Sequence, residues 1–454
     1  MTALREMDAT LSRGEGPWSA ARLSAFRQLG RLLGPDRRRR LTIGESEGYG
    51  QSMSRASTLG PALGTSSNDF IVPCANQDPT PAQPPAADPP PGFALALSGG
   101  GFRATLCCIG AARFLADAGL LSRLRYSSSV SGGSVANGVL ACGYPGLAAE
   151  GFTGDAFDRH VVRPLVDKIS GGSLKWKLIG NSWRTVGRTT RTDVLADAFD
   201  DWWFDGRRLD QLPPDVRWIV NAANMTTGVG FRFERDVLGD YVVGWRSTAE
   251  RPIRLAEAVA ASAAVPGAFA EVRVDGPFPC LDGHEVRLLD GGAYDNSGIA
   301  PLDNLRGACL VAVNAGGTFR VGQLGKLPVV RDLQRANAIL YKQSTGLRRQ
   351  FMVERFQVWE QAQKAGTPAP SFGRQGVLFS LGTEMRASDE WLDGRPEHAE
   401  WREELVNVPT SFDKFPRELC RRLVYRGWWL TGASLSRRHR ELLPASLPSW
   451  RELP

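Results

Sequence analysis

Phe93-Ala94-Leu95-Ala96-Leu97-Ser98-Gly99-Gly100-Gly101-Phe102-Arg103-Ala104 is the stretch whose reading decides the fold. A short apolar run breaks abruptly at a glycine turn and continues into a helical pattern with Leu106, Ile109, Gly110, Phe114 and Leu115 on one side. About twenty-five residues on, Leu124-Arg125-Tyr126 leads into Ser127-Ser128-Ser129-Val130-Ser131-Gly132-Gly133-Ser134, and Val135, Val139 and Leu140 then mark a second helix. Strand, turn, helix, repeated, predicts a parallel sheet covered on both faces. The first turn presents bare backbone N–H groups at a helix start, where the helix dipole favours negative charge. The second sets Ser131 on a strand-to-helix corner among small residues. An anion-holding turn beside an exposed serine is the minimum equipment for acyl transfer.

Each turn has a competing reading. Gly99-x-Gly101-x-x-Ala104 after a strand also fits a dinucleotide fingerprint, but that needs an acidic residue at the end of the next strand, which ends instead in Ser127-Ser128-Ser129. No Gly-Lys-Ser/Thr follows, so a Walker loop is excluded. Ser129-Val130-Ser131-Gly132-Gly133 fits the nucleophile elbow G-x-S-x-G with serine in place of the first glycine, and a plain Ser/Gly loop is its rival. A serine nucleophile needs a base. None of the four histidines (His160, His284, His398, His439) has the sequence context of one. Asp290 does: the run Val286-Arg287-Leu288-Leu289 delivers it, and Gly291 and Gly292 leave it accessible. A carboxylate within hydrogen-bond reach can act directly as general base. A simple Asp-Gly turn is the plain alternative.

Taken in order, Gly99-Gly100-Gly101-Phe102-Arg103, Ser129-Val130-Ser131-Gly132-Gly133 and Asp290-Gly291-Gly292 resemble the patatin-like phospholipases, and the SGGGFRA form resembles their cytosolic phospholipase A branch. Ala261-Ser262-Ala263-Ala264-Val265-Pro266-Gly267 and Ala293-Tyr294-Asp295-Asn296 extend the likeness, which covers roughly residues 92 to 320. The resemblance implies a patatin-like α/β/α sandwich with a mainly parallel central sheet. It also implies hydrolysis of lipid acyl esters by a Ser–Asp dyad, with no cofactor and no metal in the chemical step. By position, Ser131 is the nucleophile, Asp290 the general base, and Gly99, Gly100 and Gly101 the oxyanion hole. Arg103 either supports that loop or meets a phosphate headgroup, and Gly132, Gly133, Gly291 and Gly292 are supporting residues. Ser129 and Ala104 depart from the family's glycines. A dyad also makes the scarcity of histidines intelligible. The alternative is a catalytically silent patatin-like module that binds lipid or protein.

Around this core the 454 residues divide by composition. Residues 1–91 are expected to be an appendage: a basic amphipathic helix over Trp18 to Leu33, an arginine cluster at Arg37 to Arg40, then a largely disordered Ser, Gly, Ala and Pro-rich linker. Residues 92–329 form the expected catalytic domain and 330–454 a mainly helical part packing on it. Strands are expected at Val216 to Ala223, Phe231 to Glu234, Val272 to Val274, Val286 to Leu289, Cys309 to Val313 and Val377 to Leu381. Helices are expected at Ala156 to Ile169, Thr192 to Trp203, Leu255 to Ala263, Val330 to Lys364 and Arg417 to Leu430.

The net charge of +7 suits an anionic surface without requiring one, and no nucleic-acid partner is expected. The N-terminal helix and Lys175-Trp176-Lys177-Leu178-Ile179 are candidates for peripheral contact with an anionic membrane. Seven scattered cysteines without a CxxC pair read as reduced core thiols. With no signal-like leader and no apolar run of about 18 residues, a cytoplasmic protein is expected. The substrate implied by the resemblance is a lipid ester, phospholipid first.

Overall fold

A computed structural model of the chain describes residues 92–174, 189–281, 285–303, 305, 307–317 and 328–453. The appendage and linker expected over 1–91, the Lys175–Ile179 segment and His284 lie outside the described residues.

The sheet begins at β1 (Gly92–Leu97), every residue of which is buried. A strand covered on both faces reads as a continuous apolar run, as Phe93 to Leu97 does. Phe93, Leu95 and Leu97 join the larger hydrophobic core with α1 (Gly101–Asp117) and α2 (Gly132–Ala149). Ala94 and Ala96 join a smaller core on the other face, with Ile219, Leu302, Leu310, Met352 and Phe356. Helices therefore cover both faces of the sheet.

The strands following are β2 (Leu124–Val130), β3 (Arg217–Asn224), β4 (Gly230–Phe233), β5 (Val237–Asp240), β6 (Gly244–Ser247), β7 (Val272–Val274), β8 (Val286–Asp290), β9 (Ala308–Asn314) and β10 (Gly376–Ser380). Their order is β10-β9-β1-β2-β3-β4-β5-β6, with β8 joined to β3 and β7 to β8. The five strands β10 to β3 run parallel. The flank from β4 to β6 is antiparallel, as are β7 and β8. The expected strands and helices are present. The short strands β5 and β6 are additions to the expected set; four-residue antiparallel strands containing Gly239 and Gly244 carry little apolar periodicity.

Four helices matter for what lies above the sheet. The helix α3 (Arg191–Phe199) and α4 (Leu255–Ser262) pack together on one side. The helix α5 (Pro328–Lys364) has 37 residues and is about 55 Å long. The helix α6 (Arg417–Arg438) lies along α1 so closely that a Cβ at Gly427 would stand 1.9 Å from the Cys107 carbonyl oxygen. Of the described cysteines, Cys107, Cys108, Cys142, Cys309 and Cys420 are free thiols. Cys280 is disulfide-bonded, which corrects the reading of all cysteines as reduced.

Candidate active site

The strand registers assemble the site. Along one edge of β3, β2 pairs as far as Val130 opposite Asn221, and β8 takes over at Asp290 opposite Ala222. The opposite edge of the same stretch belongs to β4. Because β2 runs parallel to β3 and β8 antiparallel, their C-terminal ends meet head to head. The residue after Val130 is Ser131. It therefore faces Asp290, although the two are separated by more than 150 positions in the chain.

Ser131 has φ 50° and ψ −117°, a positive φ that a residue with a Cβ rarely adopts. The corner closes so tightly that Cβ atoms at Gly132 and Gly133 would stand 2.1 Å from the Gly101 carbonyl oxygen and 2.3 Å from that of Leu97. The Ser131 hydroxyl is near enough to the Asp290 carboxylate to lower its pKa, and Asp290 Oδ1 accepts from the Gly292 N–H at 2.7 Å. Asp290 is only 8% exposed. Burial pushes its carboxyl up to about 6, against the lowering effect of the Gly292 amide and the Ser131 hydroxyl. Main-chain bonds from Asp290 N–H to the Ala264 carbonyl and from Gly291 N–H to the Ser262 carbonyl hold the aspartate turn.

Beside this pair lies the glycine turn. Gly100 and Gly101 have φ 137° and 59°, line the cavity, and carry N–H groups that meet no acceptor among the described residues. Gly99 differs: its N–H donates to the Asn296 carbonyl at 3.0 Å, so it has no donor to offer an oxyanion and serves the turn structurally. Arg103, left between two roles by the sequence, is 2% exposed and donates to the carbonyls of Ala315, Gly316, Val406 and Val408 at 2.6–3.1 Å. It straps the turn to two distant loops. Gly291 packs against the Asn221 carbonyl.

Several residues here were not singled out as site residues from the sequence. Ser262 Oγ accepts the Ser131 N–H at 2.9 Å and donates to the Asn221 carbonyl at 2.6 Å. Ser129, standing where the elbow motif has glycine, donates to the Ile219 carbonyl and accepts from Asn137 and Ser134. The serine's polarity is thus fully used inside the protein. Asn296 donates its side-chain amide to the Gly99 carbonyl and to the Tyr341 hydroxyl. Asn296 lies within the sequence match around Asp290, which was its only signal. Tyr341 comes from the long helix and had none.

A cavity of about 1390 Å³ opens over Ser131, Asp290, Gly100 and Gly101. Val265, Pro266 and Phe269 line one side, and Val406, Thr410 and Phe412 another. The volume exceeds the few hundred to about 1,000 Å³ of common small-ligand pockets and accommodates a chain-like ligand. None of the three described histidines lies at it: His160 bonds Glu150, His398 stacks on Trp401, and buried His439 contacts the Gly376 carbonyl. Among the described residues no group of three or more His, Cys, Asp or Glu is arranged to hold a metal ion.

The family model "Patatin-like phospholipase" matches residues 95–303. Among curated proteins no sequence matches the chain. Among solved structures, human GIVD cytosolic phospholipase A2 is similar at 12% identity and a TM-score of 0.48, over 79% of this chain and 60% of that one. The same human enzyme in complex with methyl gamma-linolenyl fluorophosphonate gives 14% identity and 0.43, over 78% and 59%. This chain thus covers about three fifths of the length of those structures. Residues 95–303, which contain Ser131 and Asp290, constitute a patatin-like phospholipase domain.

Proposed function

We propose that the protein is a serine lipid acyl hydrolase that cleaves carboxylic esters of phospholipids through a Ser131–Asp290 dyad. The observation that carries this reading is Ser131 on a positive-φ elbow facing the buried carboxylate of Asp290, beside the N–H groups of Gly100 and Gly101, which meet no acceptor among the described residues.

In the first half-reaction Ser131 Oγ attacks the ester carbonyl carbon while its proton passes to Asp290. The carbonyl oxygen becomes an oxyanion within reach of the Gly100 and Gly101 amides. Losing one such donor typically costs about 2.7–4 kcal/mol of barrier. Collapse breaks the bond to the alcohol oxygen, which leaves with the proton from Asp290. Water then attacks the acyl-serine, giving one proton to Asp290. The fatty acid departs and Ser131 regains its proton.

Residues 92–329 supply the dyad and the glycine turn; residues 330–454 pack on them and complete the cavity wall. Exposed Leu340, Leu347 and Phe351 on α5 support peripheral contact with a membrane. No helix of the described residues is long and apolar enough to cross one. A cytoplasmic location stands against the disulfide at Cys280, since such bonds persist in oxidising compartments. The redox state of Cys280 in protein drawn from cells decides that point.

The dyad is tested with a fluorophosphonate probe and a short-chain nitrophenyl ester. Labelling at Ser131, with activity lost in both Ser131→Ala and Asp290→Asn, is expected. Full activity in folded Ser131→Ala would overturn the assignment.

A further inference from the structure

Most polar groups around the cavity already have partners. The Arg103 guanidinium is committed to four carbonyls, and Asp413 accepts from Ser173 at 2.6 Å. The exception lies on α5. Tyr341, Thr345 and Arg349 recur every four residues, stack along one face of that helix, and all line the cavity. Thr345 is 7% exposed, yet among the described residues its hydroxyl has no hydrogen-bond partner. Arg349 is half-buried, and its Nε is shut off from solvent with no acceptor among the described residues. Among the described residues no carboxylate neutralises it. Burial lowers its pKa with no neighbouring charge to offset the effect.

Buried donors without partners cost free energy, and a partly desolvated guanidinium without a counter-charge costs more. Both penalties vanish when an anion enters between them. The set contains only an arginine fork and a hydroxyl able to donate to oxygen, which fits the oxygens of a phosphate. Exposed Lys342 and Arg191 line the same cavity and add positive charge.

The position selects the kind of anion. Tyr341 touches Asn296 at the glycine turn, so it marks the level of the ester. Arg349 lies two turns further, about 12 Å along the axis, and side chains lean back toward the helix N-terminus. The donors therefore stand a short distance from the reacting carbon. A fatty-acid carboxylate would occupy the glycine turn itself, because its carboxyl carbon is the reacting carbon. A phosphodiester, separated from the ester by the glycerol carbons, falls at the Thr345 and Arg349 level. We infer that Thr345 and Arg349 form a phosphate-binding subsite that holds the headgroup phosphate of a glycerophospholipid while its ester reaches Ser131. This rests on the proposed role of Ser131.

The test reads binding apart from hydrolysis. An ether-linked phosphatidylcholine, which has no ester to cleave, is titrated into full-length Ser131→Ala protein with and without Arg349→Met, a change that keeps an apolar stem. Affinity is expected to fall at least tenfold with Arg349→Met and about threefold with Thr345→Val, and Arg349→Lys should recover part of the loss. Binding of an ether-linked diglyceride, which lacks the phosphate, should change far less. Equal loss for both lipids in folded protein would make Arg349 structural and overturn the subsite; so would unchanged phosphatidylcholine binding. Inorganic phosphate displacing the ether lipid at comparable concentrations would reassign the site to free phosphate. If wild-type protein fails to hydrolyse any ester while ether-lipid binding still depends on Arg349, the dyad reading falls and the subsite stands.

Discussion

Gly99 and Asn296 clasp each other: the Gly99 N–H donates to the Asn296 carbonyl at 3.0 Å, and the Asn296 side-chain amide reaches back to the Gly99 carbonyl at 3.5 Å. The turn after β1 is thereby fixed to the loop carrying Asp290, so the distance between the glycine amides and the dyad is set by main-chain contacts. Asn296→Leu removes the side-chain half of the clasp and its bond to Tyr341. We expect kcat on a soluble ester to fall 10- to 100-fold with little change in KM, because small misplacements of stabilising groups cost about 10²-fold. Equal losses through KM would point to a binding role instead.

The carboxyl of Asp290, pushed up to about 6 by burial, must be ionised to take the Ser131 proton. The expected kcat/KM therefore rises with pH along a single ionisation centred near 6 and levels above it. A profile already flat from pH 4.5 upward would contradict Asp290 as the base.

Folding stability responds to the same group in the opposite sense. Folded Asp290 keeps its proton to about pH 6, whereas the unfolded chain releases it near 3.8. Between those values the folded state binds more protons, so stability falls as pH rises, and above pH 6 the full penalty, on the order of 3 kcal/mol, is present. Asp290→Asn is expected to abolish activity yet to raise Tm at pH 8, with the gain disappearing below about pH 4. A lower Tm at pH 8 would refute the burial argument.

Gly132→Ala tests the contact between the two turns. A Cβ there would stand 2.1 Å from the Gly101 carbonyl oxygen, and Thr105 Oγ1 already bridges the Gly132 and Gly101 carbonyls. The expected result is at least a tenfold loss of kcat with destabilisation of about 1–3 kcal/mol. Wild-type kinetics would show that the turns can separate without consequence.

Arg103 and Arg349 are both cavity arginines, and their substitution is expected to part company. Arg103→Met leaves several buried carbonyls without a donor, costing about 2–4 kcal/mol and lowering activity on charged and neutral esters alike. Thermal melts and a phospholipid-to-neutral-ester activity ratio distinguish it from a headgroup contact, which would change the ratio.

Leu340, Leu347 and Phe351 fall within about 40° of one another around α5, on the face opposite Thr345 and Arg349. Leu347→Asp with Phe351→Asp should weaken binding to phosphatidylglycerol vesicles several-fold while leaving hydrolysis of a soluble ester intact. Unchanged vesicle binding would remove this face from the membrane contact.

The parallel strands and both turns were legible in the sequence because each is encoded locally: an apolar run, a glycine cluster, a serine corner, an aspartate closing a strand. What was not legible depends on register. The meeting of β2 and β8 along one edge of β3 sets Asp290 against Ser131, and no local pattern announces it. The same holds for Ser262, placed under the elbow by a helix, and for Tyr341 on α5. Gly99 read as a donor with its neighbours because nothing local shows that its N–H is already taken.

The contact between the glycine turn and residue 411 bears on how the chain can be divided. Phe102 N–H donates to the Ser411 carbonyl at 2.9 Å, and Gly101 lies so close to the same residue that a Cβ would stand 2.4 Å from that oxygen. Residues 410 to 413 line the cavity, and β10 forms the edge of the sheet. A fragment ending near residue 329 would contain both members of the dyad and still leave the glycine turn unbraced and one wall open. The smallest severable unit with this chemistry is consequently larger than the region that carries its motifs.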